Sequence, residues 1–368
     1  MSRRMTIILG SIGAVLLVLI GAYFWFSRTL PVLTVATWSG PYSRAQTKSM
    51  FIPFGEAKGY DVRIALYDGG LTELQQMVGN KRYDWDVMDF ELPDAIAACR
   101  MGLLEHIDPA TLPAGADGTA AASDFVKNAV GPCWAGSVVY SQVIAYAPNR
   151  FGAARPQSIA DFFDLARFPG PRALRRGSAK FNMELALLAD GMKPSDVYDA
   201  LLTPVGIDRA LSKLATLKGS LVWWTSSADA VAMLGDGRAA FATALNGDIY
   251  DAAQHKHAVG VLWDHQLYEL DVFGVPKGNP RKEEALDFVR FATGSVPLAG
   301  VASWVPYGPA RHTALPLVGK NPELGTDMMP FLPTAADHFK TAFAIDDEWW
   351  QLHGPDIEPR WQVWLASQ

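Results

Sequence analysis

The apolar residues of this chain keep changing period, and that change restricts the fold more than any other feature. In "YDVRIALYDG" Val62, Ile64 and Leu66 repeat at two, as one face of a strand does. In the next stretch, "LTELQQMVGN", Leu71, Leu74 and Met77 repeat at three, as on a helix. "LTVATWSG" reads as a strand before a helix across "RAQTKSMFIPFGEAKG". "YDWDVMDFE" reads as a strand before the helix "PDAIAACRMGLLEHID", with Pro93 in its first turn and Gly102 near its end. The longest β-like run is Val138 to Ala147. The alternation then resumes. "SIADFFDLARF", "NMELALLADG" and "PVGIDRALSKLATLKG" are expected helices, "LVWW" and "AAFATAL" are expected strands, and "PRKEEALDFVRFATG" is an amphipathic helix. Asn182 is the expected cap of the second of these helices and Gly191 its stop. Strands alternating with helices predict an α/β architecture.

The first residues stand apart. "MSRR" precedes an uncharged run from Met5 to Phe26, about the length that spans a hydrocarbon core. Arg3 and Arg4 place the N-terminus in the cytoplasm and the rest outside. Residues 23–26 are Tyr, Phe, Trp and Phe, without the small residues of a cleavage site or a lipidation cysteine. An uncleaved transmembrane anchor over 1–30 is therefore expected, with a periplasmic remainder that would be released only if the segment were cut. The remainder suffices for two domains. Neither a repeat nor a Pro- or Ser-rich linker separates them. The chain is expected to pass between two lobes on strands, so that the lobes sit on a hinge. Cys99 and Cys133 are the chain's 2 cysteines, and outside the membrane they are expected to form a disulfide.

The stretch "LYELDVFGVPKG", residues 267–278, poses the functional question. Tyr268, Leu270 and Val272 alternate onto one face, which leaves Glu269 and Asp271 side by side on the other. No basic residue follows before Lys277. Carboxylates in so apolar a strand need solvent, an internal Lys or Arg, or a cation from outside the protein.

Taken in order, "YDWDVMDFELPDAI", "AAFATALNGDIYDAA", "ELDVFGVPKGNPRKEEALDFVRFATG", "VPYGPA" and "DDEWW" resemble a type II periplasmic solute-binding protein of ABC importers. The nearest likeness is to the spermidine/putrescine-binding family, and it spans Thr34 to the C-terminus. The resemblance implies two α/β lobes closing on a ligand, with hinge crossings near Val143–Tyr146 and Asp271–Val275. It implies lobe 1 at 31–143 plus 273–330, lobe 2 at 144–272, and a C-terminal helical segment at 331–368 near the hinge. It also implies a permease with its ATPase as partners, a monomer, and no cofactor or metal. An acid matching Asp271 pairs with a ligand ammonium in that family, where tryptophan stands in place of Glu269.

A cleft for an ammonium on a methylene chain needs carboxylates and flat aromatic faces, each face contributing roughly 0.5 to 2 kcal/mol. The candidates are Trp38, Tyr42, Glu91, Trp224, Asn246, Glu269, Asp271, Tyr307 and Trp349. Of Trp223 and Trp224, alternation admits one. Asp248 reads either as a helix cap or as a cleft residue. Where polyamine binders carry further acids, this chain has "RGSAKFNMEL", with no acid before Glu184. That departure admits a diamine, a monoamine, or a zwitterion whose carboxylate meets Arg176, Lys180 or the helix start near Asn182.

Rival classes are a secreted carbohydrate-active enzyme, a sugar receptor or a tethered sensor. Glu269 and Asp271 lie on one strand, so no opposed acid/base pair is marked. The 7 histidines show no metal spacing, and His255 and His257 read as surface. A formal charge of -6 without a basic stripe argues against nucleic acid.

Overall fold

A computed structural model describes residues 30–255 and 257–368. The anchor expected over Met5–Phe26 lies outside the described residues. Among those described, no helix is long and apolar enough to cross a membrane.

The strands are β1 (Val32–Thr37), β2 (Asp61–Leu66), β3 (Val87–Glu91), β4 (Val130–Gly131), β5 (Trp134–Tyr146), β6 (Arg172–Arg175), β7 (Leu221–Trp224), β8 (Phe241–Leu245), β9 (Gly260–Gly274), β10 (Gly308–Pro309) and β11 (Phe343–Ala344). They join in the order β2-β1-β3-β9-β5-β8-β6-β7. At one end β2, β1 and β3 run parallel, and at the other β8, β6 and β7 do. The long strands β5 and β9 pair antiparallel between them and hold the two parallel sets in one sheet. Parallel strands need helical crossovers, which is the alternation seen in the sequence.

The buried apolar residues gather on either side of that central pair. One cluster takes β1, β3, β5 up to Val139 and β9 from Tyr268 onward, under the helices Lys282–Ala292 and Ser295–Trp304. A second takes Ile144 and Tyr146 of β5, β9 up to Leu267, and the helices Asn182–Ala189 and Asp347–Ala366. The core thus changes between Val139 and Val143 on β5 and between Leu267 and Tyr268 on β9. Asp271 pairs with Glu91 and Val138, and this carries the end of β9 into the first cluster.

The helix Asp347–Ala366 ties the halves together. Trp350, Ile357 and Trp361 are buried in the second cluster. Glu348 pairs with Arg100, and Gln351 donates to the Pro93 carbonyl at 2.6 Å, both in the first half.

Two local expectations fail. "SIADFFDLARF" forms only the short turn Ile159–Phe162, because Phe162 and Phe168 are drawn into the core by tertiary packing. Asn182 does not cap its helix. It stands inside the first turn, and its amide donates to the Arg175 and Ser178 carbonyls at 2.9 Å each. The capping position falls to Phe181, at φ 71° and ψ -41°. Gly191 does end that helix, at φ 78°.

Cys99 and Cys133 are bonded, with Cα atoms 5.8 Å apart. The bond links the helix Leu92–Arg100 to the start of β5 across 34 residues of chain. Replacing both cysteines by serine should lower stability by roughly 3 to 4 kcal/mol, a loss that urea unfolding under oxidising conditions reads directly.

Candidate functional site

One face of the central strands collects acids. On β3, Asp89 and Glu91 are two apart and share a face, as Glu269 and Asp271 do on β9. The antiparallel register sets Glu91 opposite Asp271 and Tyr140 of β5 opposite Glu269. A cavity of about 280 Å³ opens over this face. Its first-half wall includes Trp38, Ser39, Tyr42, Glu91, Asp271 and Tyr307, and Tyr140 lines it from β5. Leu245, Gly247 and Asp248 close it from the second half, at the start of the helix Asn246–Gln254.

Glu269 and Asp271, equivalent by pattern, have different fates. Both are nearly buried, at 9% and 7% exposure. Glu269 pairs with the Lys180 ammonium, which also meets Asp347 at 2.6 Å. The internal lysine absent from the local sequence is therefore supplied from 89 residues away. Asp271 has no ion-pair partner among the described residues, and its Oδ1 is buried without a hydrogen bond. Burial raises its pKa well above the ordinary carboxyl value, and Asp89, Glu91 and Glu269 raise it further.

Asp89 lies beneath. Its carboxylate accepts from Gln46 at 2.5 Å and from Thr37 at 3.3 Å. Burial still pushes it up to about 7, against the restraint of hydrogen bonds from Tyr42, Gln46 and Thr37. Desolvation within the cleft and Glu269 raise Glu91, while Lys180 and Arg175 pull it down. Burial likewise lifts Asp347 to about 8, with Glu269 adding to the shift and Lys180 opposing it. Burial works against the Lys180 ammonium too, but Glu269 and Asp347 outweigh it and raise the lysine pKa. Among the described residues the cluster carries more acid than its one half-buried lysine can neutralise.

The aromatic walls are tightly set. Tyr42 meets Tyr307 edge-on at 5.6 Å and bonds Ser137 through its hydroxyl at 2.9 Å. Burial, then Asp271 and Asp248, push the Tyr307 phenol up to about 12. Trp38 packs on Tyr67 at 5.1 Å, and its indole N–H is buried without a partner. A Cβ on Gly247 would come 3.3 Å from the Tyr307 ring and hydroxyl. Gly247→Ala should therefore shift Tyr307 and weaken ligand binding by on the order of 1 kcal/mol, while the better helix former leaves stability unchanged or higher. Calorimetric titration and thermal unfolding of the same preparation separate the two effects.

Three sequence candidates lie elsewhere. Trp224 is buried in the small cluster of Ala230, Met233 and Ile249, with its indole donating to Thr243 at 3.3 Å. Trp223 packs on Trp361 and Trp364, so neither of the pair lines the cavity. Asn246 accepts from the Ser141 N–H at 2.9 Å and donates to the Pro306 carbonyl at 2.6 Å. It is a bracket between β5 and the loop before β10. Trp349 packs at a tilt on Tyr198, with ring centres 4.9 Å apart, and does not line the cavity. Glu269 stands next to the cavity but is already paired. The sequence reading missed Tyr140, which alternation along β5 places on the acidic face, and Asp89, which shares that face with Glu91 by the same rule. Arg175, at the C-terminal end of β6, has its guanidinium 5.8 Å from the Phe181 ring centre and is not among the cavity-lining residues.

Comparison with known proteins fits this geometry. Residues 49–326 match the family model of the bacterial extracellular solute-binding protein. The gamma-aminobutyric acid-binding protein of Pseudomonas aeruginosa is 35% identical over 334 residues, covering 91% of each chain. An ABC transporter substrate-binding protein from Bradyrhizobium japonicum superposes with a TM-score of 0.76 at 27% identity, covering 91% of this chain and 99% of the other. The Atu4243-GABA receptor superposes with a TM-score of 0.71 at 28% identity, covering 91% and 98%. With a sheet of two parallel sets joined by an antiparallel pair, a cleft over that pair and a family match along most of its length, the chain belongs to the bacterial extracellular solute-binding proteins.

Proposed function

We propose that the protein is the substrate-binding component of an ABC importer, and that its ligand is a small zwitterion of the γ-aminobutyrate kind. The observation that carries this reading is Asp271. It is a buried carboxylate without a counter-ion among the described residues, opposite Glu91 and walled by Trp38, Tyr42, Tyr140 and Tyr307. A ligand ammonium completes it. The ligand carboxylate goes to Arg175, which acts on Glu91 from the second half and forms no ion pair among the described residues. Lys180, held by Glu269 and Asp347, is not free for that role. The names of the Pseudomonas protein and the Atu4243 receptor support the same ligand class.

Contacts from both halves make the ligand favour a closed arrangement, which a permease and its ATPase would recognise. The two halves act as lobes in this reading, and the protein works as a monomer. The run Met5–Phe26 would tether it to the outer face of the inner membrane. A tethered protein stays in the membrane fraction after an alkaline carbonate wash, and a released one does not.

Titration calorimetry with γ-aminobutyrate and with n-butylamine, on the natural protein and on Arg175→Met, tests the assignment. The natural protein should prefer γ-aminobutyrate, and the variant should lose that preference. A variant that keeps it removes Arg175 from the site. A second reading, a di- or polyamine, draws on the surplus of acids. It becomes the better one if putrescine or spermidine binds the natural protein more tightly than γ-aminobutyrate.

A further inference from the structure

We infer that Lys180 sets the ligand class by acting as a tethered ammonium, filling the second half of a two-cation site so that the cleft admits a ligand with one ammonium only. The inference rests on the zwitterion reading above and adds to it the residue that enforces it.

The acidic face has two ends. At one end Asp271 stands opposite Glu91 and lines the cavity. Two residues along the same strand, Glu269 stands opposite Tyr140, itself a cavity residue. Asp347 joins Glu269 there. The backbone positions of the two acids on β9 are about 7 Å apart along the strand, comparable to the span of a short α,ω-diamine. The Asp271 end has no cation among the described residues, whereas the Glu269 end is filled by the Lys180 ammonium, which also lies 5.3 Å from the Phe181 ring centre. Carboxylates and an aromatic face around an ammonium are the contacts a bound amine would make.

Lys180 is held in place, and its backbone shows the constraint. Ser178 Oγ and the Ala179 N–H donate to one Glu358 oxygen at 2.7 and 2.9 Å. Asn182 grips the Ser178 carbonyl. Phe181, immediately after the lysine, takes φ 71°, a region that a bulky residue enters only when its surroundings impose it. The loop is thus fixed from both sides with its ammonium aimed at β9. A free diamine entering the cleft would set its second ammonium against this one.

The test compares the natural protein, Lys180→Ala and Lys180→Arg by calorimetry with γ-aminobutyrate, putrescine and cadaverine. Lys180→Ala should bind a diamine about tenfold or more tightly than the natural protein does, because Glu269 and Asp347 are left needing a cation. Lys180→Arg should keep the natural order of ligands. A folded Lys180→Ala protein whose diamine-to-γ-aminobutyrate ratio has not moved overturns the inference. If Lys180→Ala does not fold alone, refolding with putrescine should rescue it. Failure to rescue means that the lysine is only structural, which also overturns the inference. A natural protein that ignores γ-aminobutyrate removes the zwitterion reading, while the gain of diamine binding in the variant is still read separately.

Discussion

Replacing Asp271 by asparagine should weaken binding of an ammonium ligand by roughly 100-fold, and should make the ligand-free protein more stable at alkaline pH. The two effects have one cause. Asp271 is a nearly buried carboxylate facing Glu91, with Asp89 and Glu269 close by and no cation of its own among the described residues. In the empty protein that arrangement is unfavourable, since burial and three like charges all oppose ionisation. In the complex the ligand ammonium turns the repulsion into attraction. Asparagine keeps the shape and removes the charge, so it relieves the empty state and deprives the bound one. Calorimetry gives the first effect and thermal unfolding at about pH 8 the second. Unchanged affinity would take Asp271 out of the site, and a large fall in stability would mean that the carboxylate already has a partner.

Affinity should also fall steeply in mild acid. Asp89 titrates near 7 in the folded protein because burial outweighs its hydrogen bonds, and Asp271 is raised by the same cause. A carboxyl with a folded pKa above its unfolded value binds its proton more tightly in the folded state. The stability this contributes is fully present below about pH 4 and is lost as pH rises through about 7. The empty protein should therefore lose stability between those limits. A cationic ligand competes with the proton on Asp271, so its affinity should drop by up to about tenfold for each pH unit below that carboxyl's raised pKa, with one proton displaced per ligand. Titrations from about pH 5 to pH 8, in buffers of different ionisation heat, count the displaced protons. Flat affinity over that range would show that no carboxyl changes state on binding.

Local pattern carried much of this. The two periods in the sequence give the parallel sets and their helices, and alternation alone puts Asp271 on the face away from Leu270 and Val272. Trp38, Tyr42 and Tyr307 all line the cavity. Long-range pairing was not legible. Nothing near Glu269 announces a lysine 89 residues away, and nothing near Asn246 announces the Pro306 carbonyl that occupies its amide. Trp224 shows the limit of composition, because a tryptophan at a strand end serves a core as readily as a cleft. Phe181 shows the limit of propensity: a bulky residue takes the capping position because the fold around Lys180 demands it.

The strand order has a consequence for how such a chain is made. β3 lies beside β9, so the edge that Glu91 helps to form stays open until residues 260–274 have been synthesised. The first half cannot close its sheet as it emerges, and the slow, non-local pairing waits for the last third of the chain. A polypeptide that stays unfinished for so long remains threadable, as passage across a membrane in an unfolded state requires. Nascent chains halted before β9 should accordingly remain open to protease over the whole of the first half, and become resistant only once that strand has been added.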